Sequence, residues 1–270
     1  MPIELKDKFI TDVQIDGAPN GDLVAAGFYS DKGTFSVKGA FYIRIDGKSR
    51  QVVTQNFSVF EQDFITEYFT EKEKKKSDKK EAKGQDQELY SFQMDELLIR
   101  ADGGVTLIAE QYRMYTVCTT TTTANGGTTT TCHNHFLYND IMVITFNPDG
   151  AVAWKCKIPK RQHTVDDYGY YCSYAYVAID NKLFFVYNDN PKNLYLQAGE
   201  KIYNYTPARE AAVILVEVDA SGKVTRELLT KTEKGDLDIS PKMCVQTGAR
   251  EMLILAEKSK MYQFSKITFK

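Results

Sequence analysis

An excess of charge of one sign is missing from this chain. Its 270 residues carry 34 Lys and Arg against 36 Asp and Glu, a formal charge of −2. So balanced a chain has no net basic field for nucleic acid or an anionic membrane surface, and no nucleic-acid partner is expected. Long apolar runs are also lacking. None approaches the roughly 20 residues of a membrane-spanning helix, so no membrane insertion is expected. The opening MPIELKDKF does not read as a signal peptide. Seven prolines and 17 glycines are too few for a linker-dominated protein. Five cysteines are too few for a disulfide scaffold, and their odd number leaves at least one unpaired within the chain. Catalytic signatures are absent: no G-x-S-x-G, H-E-x-x-H, phosphate-binding glycine loop or dinucleotide fingerprint. No cofactor is expected.

What is present is a recurring hairpin. One set of apolar–turn–apolar segments reads VQIDGAPNGDLVAAG (13–27), LIRADGGVTLIAE (98–110), YVAIDNKLFFVY (176–187) and CVQTGAREMLILAE (244–257). A second set reads FYIRIDGKSRQVV (41–53), MVITFNPDGAVAW (142–154) and ILVEVDASGKVTREL (214–228), and the two sets alternate along the chain. Asp-Gly, Asp-Asn and Ser-Gly at the junctions supply the positive φ of tight turns. Each pair of hairpins makes a four-stranded antiparallel unit. The count is three full units and most of a fourth.

The strand interiors indicate how such units assemble. DIMVITF (140–146), AAVILVEV (211–218), KLFFVY (182–187) and EMLILAE (251–257) are apolar on both faces. Side chains of a strand alternate between faces, so a sheet with one wet side would leave every second residue polar. Strands that are apolar on both sides suit small sheets stacked face to face, as in propeller blades, with a β-sandwich as the alternative. The last strand of each unit should lie on the rim and be half wet; AVAWKCKIP (151–159) fits, with Val152, Trp154, Cys156 and Ile158 on one side and Lys155 and Lys157 on the other.

With its repeated strand–DG–strand pattern and the segment NDIMVITFNPDGAVAWKCKIPKRQ (139–162), the chain resembles β-propeller repeat proteins. More narrowly, it is similar to uncharacterised propeller-like proteins of bacterial envelopes. It lacks the Trp-Asp dipeptide and the kelch glycine pair. The resemblance implies an all-β, propeller-like stack of about four four-stranded antiparallel blades, incomplete or non-standard, forming one domain over 1–270. It also implies a periplasmic or extracellular location, with an export signal lost or trimmed. The fourth unit stops one strand short at MYQFSKITF (261–269), and PIELKDKF (2–9) is the candidate to supply that strand.

Two insertions interrupt the repeat. In 60–89, Phe60, Phe64, Ile65, Tyr68 and Phe69 recur at helical spacing, so an amphipathic helix is expected to dock on the outside of a blade. A lysine- and glutamate-rich helical extension follows. In 113–137, threonine runs flank Ala124-Asn125-Gly126-Gly127, which reads as a protruding hairpin with a mobile tip. Facing residues of a hairpin have a constant sum of numbers. A two-residue turn gives 251 and sets Cys118 opposite His133; a three-residue loop at 124–126 gives 250 and sets Cys118 opposite Cys132. The second register permits a Cys118–Cys132 disulfide. A zinc or copper site from Cys118, Cys132, His133 and His135 and a pair of free thiols are the alternatives.

Three further clusters carry chemistry. Tyr168, Tyr170, Tyr171, Tyr174 and Tyr176 lie in DDYGYYCSYAY (166–176), and rings with polar tips form platforms for sugars or peptides as readily as they fill blade interfaces. Asn188, Asp189, Asn190 and Asn193 in YNDNPKNL (187–194) offer oxygens to calcium or make turns. His163 with Asp166 and Asp167 in IPKRQHTVDDYG (158–169) has the composition of an acid–base pair. The resulting expectation is a non-enzymatic binding or scaffold protein presenting a tyrosine-rich face to a protein or glycan. The alternative is a saccharide-acting hydrolase or lyase using His163, Asp166, Asp167 and Asp189, which requires acids converging within about 5–10 Å.

Overall fold

A computed structural model describes residues 8–31, 33, 36–82, 88–207, 209–232, 238–258 and 260–269. They divide into two compact units. The first takes residues up to 111 with 140–159 and 196–201; the second takes 112–139, 160–195 and 202 onward.

In the first unit, β1 (Phe9–Gly17), β2 (Leu23–Ser30), β4 (Gly39–Ile45) and β5 (Val52–Val59) form an antiparallel sheet in chain order. A two-residue β3 (Ser36–Val37) pairs with β6 (Leu89–Tyr90). The next sheet runs β7 (Phe92–Ile99), β8 (Val105–Thr122), β9 (Thr128–Phe146) and β10 (Val152–Ile158), again in chain order. The portions of β8 and β9 within the first unit are those up to 111 and from 140.

The two sheets of this unit share one core. Val24, Ala26, Phe28, Ala40 and Tyr42 meet Leu97, Leu107, Ala109, Met142, Ile144 and Phe146. The other face of the first sheet buries Ala25, Tyr29, Phe41 and Ile43. Its inner strands are therefore apolar on both sides, which removes the polar alternation expected of a sheet with one wet face.

Between β5 and β6 the insertion folds as α1 (Gln62–Thr66) and α2 (Glu71–Glu81). The aromatic stripe is real, but the helix breaks after one turn: Phe60 and Ile65 enter the core, while the charged run makes its own helix. Ser77 of α2 is buried and accepts a hydrogen bond from Gln62 Nε2 at 2.7 Å. The insertion corrects the reading of the rim strand. Lys157 is 3% exposed rather than solvated. Its ammonium donates to the Ile65 carbonyl at 3.1 Å and lies 5.0 Å from the Phe64 ring centre. Lys155 pairs with Glu61 at 2.6 Å, so α1 covers the lysine side of β10.

The second unit continues the pattern. β11 (Gln162–Val165) adds to the outer part of β9. β12 (Ala175–Ile179), β13 (Lys182–Asp189), β14 (Ala211–Val218) and β15 (Val224–Thr232) form a sheet in chain order. β16 (Asp238–Ile239) and β17 (Val245–Gly248) both pair with β18 (Glu251–Lys258), which pairs with β19 (Met261–Thr268) on its other side. Val177, Phe184, Val186 and Val213 pack against Ile239, Met252, Ile254 and Phe269, joining the two sheets.

Strands 140–146 and 182–187 are buried almost throughout, and 211–218 is mostly buried. Strand 251–257 departs from expectation: Met252 and Ile254 are buried, whereas Leu253 and Leu255 are half-exposed. The closing strand proposed for 2–9 lies largely outside the described residues. Phe9 itself opens β1 and pairs with Ser30 of the first sheet.

Turn chemistry explains the hairpins. Five loops, 18–22, 100–104, 123–127, 147–151 and 219–223, close in the same way. The first residue donates its N–H to the carbonyl of the fifth, and its own carbonyl accepts from the glycine at position four. Those glycines, Gly21, Gly103, Gly126, Gly150 and Gly222, all have φ between 78° and 89°. This is the three-residue hairpin loop with a left-handed glycine. The β12–β13 turn is instead a two-residue turn through Asp180 and Asn181, at φ 50° and 62°. In the first hairpin the turn glycine is Gly21, not the Gly17 of the Asp-Gly dipeptide.

Candidate functional site

The outer portions of β8 and β9 belong to the second unit. Their register follows from the three-residue loop. Thr120 and Thr130 hydroxyls meet at 2.9 Å, and Thr116 Oγ1 reaches Asn134 Oδ1 at 2.7 Å, so facing numbers sum to 250. Counting from the hydrogen-bonded Thr123–Gly127 pair, Cys118 and Cys132 form a non-hydrogen-bonded pair, the closer of the two kinds in an antiparallel ribbon. Their Cα atoms are 4.0 Å apart and the sulfurs are bonded. Cys156, Cys172 and Cys244 lie outside any disulfide.

That bond removes two ligands from the zinc or copper set of Cys118, Cys132, His133 and His135. The two histidines are engaged elsewhere, and among the described residues no group of three His, Cys, Asp or Glu is arranged to hold a metal ion.

The three histidines of the chain instead gather where β11 lies on β9. Gln162, His163, Thr164 and Val165 face Tyr138, Leu137, Phe136 and His135 in turn. Alternation sends Gln162, Thr164, Phe136 and Tyr138 inward, where all four are buried. His135 and His163 are left on the outer face as diagonal neighbours. His135 Nδ1 and His163 Nε2 are 2.9 Å apart. The ring centres are 5.2 Å apart and the planes 16° from parallel, the spacing of two rings sharing an in-plane N–H···N bond rather than lying face to face. Tyr115, opposite His135 by register, stacks on it at 4.8 Å, and the Arg113 guanidinium lies 5.4 Å from the Tyr115 ring centre. Burial and the neighbouring His135 hold His163 below the usual histidine range.

Immediately after β11 the backbone changes character. Asp166, Tyr168 and Ser173 have φ of 58°, 58° and 70°, and Gly169 lies at 65°. Three of the seven left-handed non-glycine residues among the described ones thus fall within eight positions. Each costs on the order of 1 kcal/mol and persists only where the surroundings over-determine it.

The surroundings here are specific. Asp166 Oδ2 contacts His133 Nδ1 at 2.6 Å, and Oδ1 accepts the Asn134 N–H at 2.7 Å. These bonds hold the Asp166 carboxyl below its ordinary range. The Asp166 N–H in turn donates to the Asn134 carbonyl at 2.9 Å. Asp167 Oδ1 accepts the Gly169 N–H at 2.9 Å. Lys242 Nζ donates to the Tyr138 hydroxyl at 2.7 Å and the Gly169 carbonyl at 3.3 Å. Gln162 Oε1 accepts the Ser173 N–H at 2.7 Å.

The five nominated tyrosines do not form one plane. Tyr168 stands 79% exposed and Tyr170 37% exposed. Tyr170 donates to Glu257 at 2.6 Å, which raises its phenol above the usual range, and meets Tyr171 edge-on at 90°. Tyr174 is 8% exposed and packs edge-on against Phe185, so it has no ring face to offer a ligand. Tyr176 also leans on Phe185. Edge-on packing needs a ring on each side, and β13 supplies the second. Spacing within one loop does not reveal that.

The nominated catalytic groups are likewise separated by role. His163 bonds His135 rather than Asp167, and Asp167 caps a turn. Asp189 is 1% exposed, accepts Asn193 Nδ2 at 2.7 Å, and is pushed up to about 6 by burial. Such a carboxyl belongs to a buried joint with Asn193 rather than to a solvent-accessible cleft. Asn190 caps the turn at Lys192, and Asn193 bonds Tyr203 through both amide atoms. Asn188 donates to the carbonyls of Tyr171 and Ile239. The calcium reading of these side chains therefore gives way to turn and cross-link roles.

Sequence reasoning missed Arg113, Tyr115, Lys242 and Glu257. Only the hairpin register pointed to Tyr115; nothing local pointed to Lys242 or Glu257, which come from distant elements. No protein-family model and no curated protein matches the sequence.

Proposed function

We propose that this chain is a propeller-type binding protein whose recognition surface is the 166–173 loop, with the β8–β9 hairpin standing beside it. The observation that carries this reading is Tyr168: its backbone is held in a left-handed conformation while its ring stands in water. Strained, over-determined backbone that presents an exposed aromatic is characteristic of ligand contacts. Asp166 and Tyr170 lie two residues either side of Tyr168 and are hydrogen-bonded to His133 and Glu257, so the loop offers polar groups that suit a glycan or a polar protein segment. The propeller-type architecture is supported by three four-stranded antiparallel meanders whose inner strands are largely buried on both sides, and by sheets that pack against each other within each unit. A cross-strand disulfide favours an oxidising compartment, periplasmic or extracellular. The saccharide-hydrolase alternative is supported only by the His133–Asp166 contact, because Asp189 is sealed from solvent.

The test is a defined glycan array together with a displayed peptide library, probed with wild type and Tyr168→Ala. The reading expects a hit in one of the two, weakened at least tenfold in Tyr168→Ala with the melting temperature unchanged. Equal binding by the two proteins would remove the loop from the site.

A further inference from the structure

The histidine pair lies at the base of the segment that carries Tyr168. β11 is only four residues long, and among the described residues its strand pairing is to β9, with a single bridge from Gln162 to Tyr205. Its end is the start of the strained loop. On the outer face, the contact between His135 and His163 joins β11 to β9 by side chains.

An N–H···N bond between imidazoles needs one nitrogen without a proton. The pair therefore accepts one additional proton and keeps the bond; a second makes both rings donors and sets two cations against each other. The charged groups around it act in opposite directions. Asp166, whose charge interacts with His135, favours the first proton. Burial and the charge of His135 oppose protonation of His163, and the Arg113 guanidinium lies 5.4 Å from the ring of Tyr115, which stacks on His135. His133, two residues from His135 on the same side of β9, is occupied by Asp166.

We propose that His135 and His163 form a proton-operated latch: acidification releases β11 from β9, loosens the 166–173 loop, and so weakens binding at Tyr168. The effect on binding rests on the recognition-surface reading above, whereas the latch itself does not. The sign follows from linkage. A histidine held below its ordinary value of 6.5 contributes stability that is fully present above that pH and is lost as the pH falls below it. Asp166 stays ionised over this range, since its carboxyl is held low, so the latch opens while the Asn134 anchor remains.

Hydrogen exchange on the whole chain at pH 7.5 and pH 5.0, with each amide corrected for its intrinsic rate, reads the latch without a ligand. Protection across 163–173 is expected to fall between pH 7.5 and pH 5.0, relative to β13 and β14, by no more than about tenfold per pH unit below 6.5 for a one-proton difference. In His163→Gln, whose amide donates and accepts without titrating, the pH dependence should vanish. Unchanged protection in wild type, or an equal loss in His163→Gln, overturns the latch. Should that variant not fold, imidazole proton resonances of wild type decide. Coupled two-step titration of His135 and His163 supports the latch, and two independent single steps refute it. Tyr168→Ala leaves the exchange result untouched, so a failed latch and a failed binding surface are distinguished.

Discussion

Replacing Gly169 by alanine tests how tightly the loop is determined. Two costs add. Gly169 sits at φ 65°, where a side chain costs about 1 kcal/mol relative to the right-handed region. Its new Cβ would also lie 2.2 Å from Cε2 of Tyr138. Tyr138 cannot yield freely, because its ring packs in a cluster with Phe136, Cys172 and Tyr205 and its hydroxyl accepts from Lys242. Overpacking of this kind costs about 1–3 kcal/mol. The expected loss is therefore about 2–4 kcal/mol, read by urea denaturation. Gly103→Ala is the internal control. It carries a similar φ of 85°, but its Cβ meets nothing within 4 Å, so it should lose only about 1 kcal/mol. If the two variants lose the same within about 0.5 kcal/mol, the Tyr138–Lys242 anchor is not what holds the loop.

Other consequences are checked as directly. Denatured without reductant, the chain should titrate the thiols of Cys156, Cys172 and Cys244, and gain two more after reduction; all five reacting at once would remove the Cys118–Cys132 bond. Lys157→Ala should cost about 2 kcal/mol and expose α1 to protease, because it strips the contacts with Phe64 and the Ile65 carbonyl; unchanged stability would mean that α1 is held by its own apolar residues. Asp189 has a folded-state value raised from 3.8 to about 6, so its ionised form is penalised and stability is lost as pH rises through 6. Asp189→Asn should thus be more stable than wild type at pH 8, by up to about 3 kcal/mol, and equal to it at pH 3. A pH-independent difference in urea midpoints would contradict this.

The sheets were legible because hairpins are local. Alternation, apolar runs and Asp-Gly, Asp-Asn or Ser-Gly junctions occupy adjacent residues, and β7–β8, β9–β10, β12–β13 and β14–β15 follow from them. The hairpin register was legible as two alternatives, separated by one residue of loop. Lys157 was misread because the alternation of β10 says which side a residue takes, not what covers that side; α1, inserted almost a hundred residues earlier, decides that. The site shows the same limit. His133, His135, His163 and Asp166 stood out by composition, but their pairing depends on β11 joining β9, and the anchor Lys242 comes from the 3-10 turn between β16 and β17. Tyr174 looked equivalent to Tyr168 in a tyrosine-rich run; only Phe185 on β13 makes one core and leaves the other in solvent.

The most direct test of the account asks whether the 166–173 loop is as rigid as the strands around it. Backbone ¹⁵N relaxation at pH 7.5 gives an order parameter for each amide. A loop held by Asp166, Asp167, Gln162 and Lys242 should match β13 and β14 at about 0.85. Values below about 0.6 across Asp166, Tyr168 and Gly169 would mean that Tyr168 is carried by a loose segment, and the proposed recognition surface would be refuted.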